Sequence, residues 1–232
     1  MYDLGIIGGM GPLATSEIYH KIIDNTLALA DQDHMSIVIL NKPAIPDRSA
    51  AILNNAPSPV AALNESVEEL VNLKVNNFII ACNTAHYFLN ELKIPKSINF
   101  INMIDEVLLN IKKEYSNYDV IVLATMGTIN ANIYKTNENS KDLNIVYPDP
   151  IYQEHIMNYI YNIKNGKDIL YDINNFEKIL EKIKNNYKKS IFLLACTELS
   201  MLYKHLNKKF VIKDAVSVLV EAVIKRCGYK LK

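Results

Sequence analysis

The sequence predicts an α/β protein of two similar lobes, each a mostly parallel sheet flanked by helices, the two related by pseudo-two-fold symmetry. Three observations predict it. Short apolar runs alternate with helical patterns along the 232 residues, as expected for parallel sheets covered on both faces. An apolar run ending in Ala81-Cys82-Asn83-Thr84 recurs as Ala195-Cys196-Thr197-Glu198, 114 residues later (196 − 82). The spacing from a Met-Gly turn to each cysteine also recurs: 72 residues from Met10 (82 − 10) and 70 from Met126 (196 − 126). Duplication of a unit of roughly 110 residues accounts for all three.

The elements follow in order. A strand at 2–7 ends in Gly8-Gly9-Met10-Gly11-Pro12, and a helix starts at Leu13 with Ile18, Ile22, Leu27 and Leu29 as apolar positions. A strand at 36–40 opens into a loop at 41–49 stiffened by Pro43 and Pro46. Ser58 reads as an N-cap and Pro59 as the first turn of a helix with Val60, Leu63, Val67, Leu70 and Val71 as its stripe. The Cys82 strand comes third, with a helix to about Leu92, a short strand at 98–101 and a helix headed by Asp105. The pattern restarts with strands at 118–123 and 144–147, helices at 152–164 and 176–187, the Cys196 strand and its helix, a strand at 210–212 and a last helix from Asp214. Asn- and Lys-rich stretches at 137–144 and 184–189 read as solvated loops. The expected division is 1–100 plus 213–232 for one lobe and 101–212 for the other.

Composition narrows the function. Half the residues are hydrophobic, and 25 basic residues balance 25 acidic ones, which argues against nucleic-acid and membrane-surface partners. No apolar run reaches the length of a membrane span, and no signal-peptide pattern opens the chain, so a cytoplasmic protein is expected. Three widely spaced cysteines do not make a disulfide framework, and Cys227 reads as a packing residue. No metal site is expected: Cys-x-x-Cys is absent and the five histidines lack ligand spacing.

Cys82 and Cys196 each stand at a strand's carboxyl end before a helix, where free N–H groups and the helix dipole favour a thiolate. One cysteine so placed is more often structural; an equivalent pair, each followed by small polar residues, is a stronger sign of chemistry. A pseudo-two-fold would set the two thiols opposite one another across a cleft beyond the strand ends. His86 reads as a first-turn helper or a packing residue. Gly9-Met10-Gly11-Pro12-Leu13-Ala14 fits a loose dinucleotide fingerprint, but the second strand ends in Asn41-Lys42 without a ribose-binding acid. A tight strand-to-helix turn is the better reading, with a turn at Gly11 that holds a small carboxylate as the intermediate one. Arg48, in the Pro-stiffened loop, is placed to grip a carboxylate with its two-pronged guanidinium. Lys164 and Lys167 are explained by the negative end of a helix dipole. Glu198 is ordinary first-turn decoration, or a residue that fixes an ammonium or orients a neighbour.

Taken together, Gly8-Gly9-Met10-Gly11-Pro12-Leu13-Ala14-Thr15, Pro46-Asp47-Arg48, Ala81-Cys82-Asn83-Thr84-Ala85-His86 and Ala195-Cys196-Thr197-Glu198-Leu199 resemble the aspartate/glutamate racemase family over essentially the whole chain. The resemblance implies an α/β pair of lobes with the site between them, a homodimer, and amino-acid racemisation without pyridoxal phosphate, metal or other cofactor. It implies that Cys82 and Cys196 are the paired acid and base. It further implies that Met10, Asn83, Thr84, Thr125, Thr128, Thr197 and Glu198 line the substrate, and that Arg48 and Lys164 hold its side-chain carboxylate. The reading is racemisation of an acidic amino acid, aspartate first. The alternatives are a single-thiol isomerase or decarboxylase on a small dicarboxylate, and a non-catalytic amino-acid binder.

Overall fold

The computed structural model describes residues 1–232. β1 (Tyr2–Gly8) forms the first sheet with β2 (Ile37–Asn41), β3 (Val75–Ile80) and β4 (Asn99–Phe100) in the order β2-β1-β3-β4. The second sheet is built from β5 (Asp119–Leu123), β6 (Asn144–Val146), β7 (Ser190–Leu194) and β8 (Ile212–Asp214) in the order β6-β5-β7-β8. Every pairing is parallel, and the two orders are equivalent strand for strand. The duplication in the sequence is therefore a duplication of topology. No helix is long and apolar enough to cross a membrane.

Strand alternation sorts the apolar side chains into three layers. Leu4, Ile6, Ile79 and Ala81 of the first sheet share one core with Val120, Val122, Ala124, Ile191, Leu193 and Ala195 of the second. Helices α1 (Pro12–Asn25), α4 (Met103–Tyr115) and α10 (Ala215–Arg226) contribute Ile18, Ile104, Val107, Leu219 and Val223 to it. The other face of the first sheet, with Phe78, Ile80 and Cys82, packs under α3 (Val60–Asn72). The other face of the second, with Phe192, Leu194 and Cys196, packs under α7 (Pro150–Lys164) and α8 (Ile173–Lys184). Full burial of each such aliphatic side chain contributes about 1.5–3 kcal/mol. A common inner core thus opposes any separation of the lobes.

Polar contacts add to that core. Lys21 of α1 donates to Asp214 Oδ2 (2.9 Å), Ser200 Oγ (2.9 Å) and Ser217 Oγ (3.1 Å). Asp214 is fully buried, caps α10 and also accepts from the Ser200 hydroxyl at 2.7 Å. Because every member of this group is partnered, burying its charges is tolerable. It ties the start of the chain to the segment just after Cys196.

Several expectations need correction. The first helix stops at Asn25; Leu29 is 95 % exposed, because the chain turns away at Thr26 to pair with Leu231 near the carboxyl terminus. The loop at 41–49 ends early: Asp47 accepts from the Ala50 amide at 2.7 Å and caps α2 (Arg48–Asn54), a short Ala-rich helix without the apolar contrast that periodicity detects. The helices expected after the two cysteines are tight 3-10 segments, Thr84–Glu91 and Leu199–Leu202, followed by the single α turn α9 (Tyr203–Leu206). Asn102, not Asp105, caps α4, so only Asp214 heads its helix. Asn137 and Asn139, expected in a solvated loop, donate to Asp105 at 2.7 and 3.2 Å and dock their turn on α4. The second lobe also holds two short helices that periodicity missed, α5 (Met126–Asn130) and α6 (Ile133–Thr136).

The glycine turn after β1 is explained by packing. Gly9 has φ +88°, and a Cβ there would lie 2.5 Å from the backbone of Lys42. The close approach it permits is to the chain itself. The lobes also meet closely at α2 and α5, where a Cβ on Gly127 would lie 2.7 Å from Ser49 Oγ and 2.8 Å from Ser49 Cα. Gly127→Ala is expected to cost about 1–3 kcal/mol by overpacking, measured by urea denaturation. Adding Ser49→Ala should recover only part of the loss, since the backbone clash remains.

Candidate active site

The two cysteines arrive by equivalent routes. The Ala81 amide bonds the Ile7 carbonyl (2.8 Å) and the Ala195 amide bonds the Leu123 carbonyl (2.9 Å), the last rungs before each thiol. Beyond them Cys82 and Cys196, both free and buried, line one small cavity of about 280 Å³ of empty space. Met10, Arg48, Asn83, Thr84, Thr125, Lys164, Thr197 and Glu198 line it too, with Asp47 and Ser49. Ten of the twelve residues singled out from the sequence are thus brought together. Gly11 and Thr128 are the exceptions. Gly11 lines a larger open cleft that shares Met10, Arg48, Lys164 and Glu198 with the cavity. Thr128 is wholly buried behind Thr84 and Thr125, and the three hydroxyls close a triangle of 2.9, 3.0 and 3.2 Å.

Arg48 is held by backbone. Its Nη1 donates to the Ile45 and Pro46 carbonyls (3.1 and 3.0 Å), and its Nη2 to the Met10 carbonyl (3.0 Å). Of its five donors, Nε–H and one Nη2 proton remain. Nε is buried without a partner. The proline loop thus fixes the guanidinium and leaves two of its donors for an oxyanion.

The second thiol has a carboxylate beside it. Cys196 Sγ donates to Glu198 Oε2 at 2.9 Å, and Thr197 Oγ1 donates to the same oxygen at 3.2 Å. Glu198 Oε1 is buried without a hydrogen bond, 3.8 Å from Lys164 Nζ. Burial and the Glu198 charge push the Cys196 thiol well above its ordinary pKa, against the opposing pull of Lys164. This overturns the expected thiolate at a helix start for Cys196. Only a short 3-10 segment follows it, so little dipole is available to offset the carboxylate and the loss of water. Burial lowers the Lys164 pKa, but the Glu198 charge outweighs it and holds the ammonium above its ordinary value.

His86 does not reach a thiol. Its Nδ1 lies 2.9 Å from the Cys82 carbonyl, and burial lowers its pKa to about 4, so the ring is neutral at pH 7. Sequence reasoning missed Tyr134, a fully buried residue of α6 whose hydroxyl donates to Asn83 Oδ1 at 2.5 Å. No local motif marks it, because the contact joins residues 51 positions apart. No three His, Cys, Asp or Glu side chains cluster as metal ligands. The cavity combines two thiols able to exchange protons, two cations, two carboxylates, an amide and hydroxyls.

Comparison with known proteins shows the family and the fold. Residues 7–223 match the Asp/Glu/hydantoin racemase family. The fold is similar to that of an aspartate racemase from Picrophilus torridus, with a TM-score of 0.83 and 34 % identity over 99 % of this chain and 95 % of that one. An aspartate racemase homologue from Pyrococcus horikoshii has the same fold, with a TM-score of 0.74 and 21 % identity over 98 % of this chain and 99 % of the other. A broad specificity amino-acid racemase of Bacillus subtilis is 24 % identical over 95 % of this chain and 96 % of its own length. The chain belongs to the Asp/Glu/hydantoin racemase family.

The charges around Cys196 set its ionisation, which alkylation can read. Glu198→Gln should move the pH profile of iodoacetamide labelling at Cys196, followed by peptide mass spectrometry, to lower pH. Lys164→Met should move it to higher pH, since the ammonium stabilises the thiolate. Profiles unchanged in both variants would show that this pair does not govern the thiol.

Proposed function

We propose that this member of the Asp/Glu/hydantoin racemase family racemises an acidic amino acid, aspartate before others, with Cys82 and Cys196 as paired acid and base and no cofactor. The observation that carries the reading is the convergence of both thiols, from equivalent strand ends of two sheets, on one cavity that Arg48 and Lys164 also line. Inverting a stereocentre needs a base on one face of Cα and an acid on the other, and two thiols supply both.

In the resting protein Cys196 keeps its proton and donates it to Glu198. In one direction Cys82, as thiolate, removes the Cα proton and Cys196 delivers its own to the opposite face. In the other direction Cys196 must first lose its proton, and Glu198 Oε2, 2.9 Å away, is the acceptor in position. The carbanion is the costly species, because no electron sink is at hand. Its charge spreads into the α-carboxylate as an enediolate, which donors already in place around that group stabilise. Asn83, Thr84 and Thr125 are uncharged donors lining the cavity, and Thr197 joins them if the substrate draws its hydroxyl from Glu198. Arg48 and Lys164 take the side-chain carboxylate, which favours dicarboxylic over neutral amino acids. The broad specificity of the Bacillus relative favours a secondary reading, in which other amino acids are also accepted more slowly.

Incubation with L-aspartate in D₂O should yield D-aspartate carrying solvent deuterium at Cα. Cys82→Ser and Cys196→Ser should each abolish racemisation in both directions, yet retain Cα exchange for opposite enantiomers, because each variant keeps one competent thiol. Full racemisation by either variant would overturn the two-base assignment. Arg48→Lys should raise KM for aspartate by roughly tenfold or more, since lysine cannot reproduce the fork. Unchanged kinetics there would remove Arg48 from the substrate.

A further inference from the structure

Tyr134 is large, wholly buried and polar, and no feature of the cysteine motifs calls for it. It lies on α6 in the second half of the chain, and its ring belongs to the core shared by both sheets. Its hydroxyl donates to Oδ1 of Asn83, the residue after Cys82, at 2.5 Å. Asn83 is 3 % exposed and lines the cavity, and its Nδ2 is buried with no partner. An asparagine amide can present either end to a ligand after a half-turn of its last torsion. One orientation offers two N–H donors to a carboxylate; the other offers an oxygen that repels it. A donor seated on Oδ1 disfavours the second orientation, in which the buried Tyr134 proton would lose its one hydrogen-bond partner. Burial, with Tyr147, Cys196 and Asp214 adding to it, holds the Tyr134 hydroxyl far above its ordinary pKa, so it keeps the proton it donates.

We propose that Tyr134 is a positioning residue that locks the Asn83 amide with Nδ2 directed at the substrate carboxylate. The second lobe thereby sets the donor polarity of the first lobe's cysteine motif, and closure of the seam completes the carboxylate site. This inference rests on the amino-acid racemase reading of the cavity. The competing account is a core tyrosine that merely needs an acceptor, for which Asn83 serves.

A double-mutant cycle on Cα deuterium exchange of L-aspartate separates the two. Exchange by the unaltered protein tests the racemase reading itself; only the variants test Tyr134. Tyr134→Phe should lower kcat/KM roughly 10- to 100-fold, chiefly through KM, the loss of one hydrogen bond to a charged ligand group. In an Asn83→Ala background, where no amide remains to orient, Tyr134→Phe should cause no further loss. Unchanged kinetics in folded Tyr134→Phe, or the same loss repeated in the Asn83→Ala background, would overturn the proposal. Should Tyr134→Phe fold poorly, the side-chain amide signal of Asn83 in ¹⁵N-asparagine-labelled protein, assigned by its disappearance in Asn83→Ala, serves instead. That signal should shift on adding aspartate; a signal that stays fixed at saturating aspartate overturns the proposal.

Discussion

The arrangement of the molecule depends on one apolar layer, the core into which both sheets bury their inner faces. Two lobes with separate cores would be free to hinge, and their strand ends would meet only transiently. Here Leu4 and Ile6 lie in the same core as Val120, Val122, Ile191 and Leu193. The layer narrows toward the carboxyl ends of the strands. At the last inward positions stand Gly8, Ala81, Ala124 and Ala195, all small where the preceding rungs carry Ile, Val or Leu. Small residues there let the two strand ends converge, and the cysteines follow directly. The Lys21–Asp214–Ser200 contacts act at the same end and fix the turn after Cys196 to the first helix.

Inside the seam, stability yields to chemistry. Buried polar atoms are normally partnered, yet Arg48 Nε, Asn83 Nδ2 and Glu198 Oε1, all on cavity-lining residues, are not. Two are donors and one is an acceptor, a set that complements a molecule carrying both carboxylate and ammonium. The duplicated motifs have also diverged in a useful way. Two residues after Cys82 stands Thr84, whereas two residues after Cys196 stands Glu198. The lobes therefore supply similar thiols in different electrostatic surroundings. Glu198 keeps a proton acceptor within reach of Cys196, and Lys164 limits how far that carboxylate raises the thiol.

Much of this was legible in the sequence because it is local. Alternating strand and helix patterns predicted parallel sheets, and two spaced copies of the cysteine motif predicted duplicated topology. Arg48 stood out because two prolines stiffen its loop, Glu198 because it follows Cys196 by two residues, and Asn83, Thr84 and Thr197 through the resemblance that the cysteine motifs carry. The same locality explains the errors. Periodicity cannot see α2, α5 or α6, which are too short for an apolar stripe, nor tell a 3-10 segment from a helix when both begin with small polar residues. Asn137 and Asn139 read as solvated because their partner, Asp105, lies more than thirty positions away.

The sequence by itself determined the fold class and the repeat, because strand burial and motif spacing are properties of neighbouring residues, and it singled out two equivalent cysteines as candidates for chemistry. Only the tertiary structure decided which atoms of those side chains remain available. It spent three of the Arg48 donors on backbone carbonyls, set Glu198 against Cys196 so that the thiol is neutral at rest, moved Thr128 behind the cavity wall, and brought Tyr134 onto Asn83. The Arg48–Met10, Thr84–Thr128 and Tyr134–Asn83 contacts join distant parts of the chain, while the Arg48 bonds to Ile45 and Pro46 and the Cys196–Glu198 bond are local ones whose effect depends on burial. The long-range contacts and the burial are fixed by the packing of the two sheets on their common core, which no run of adjacent residues encodes.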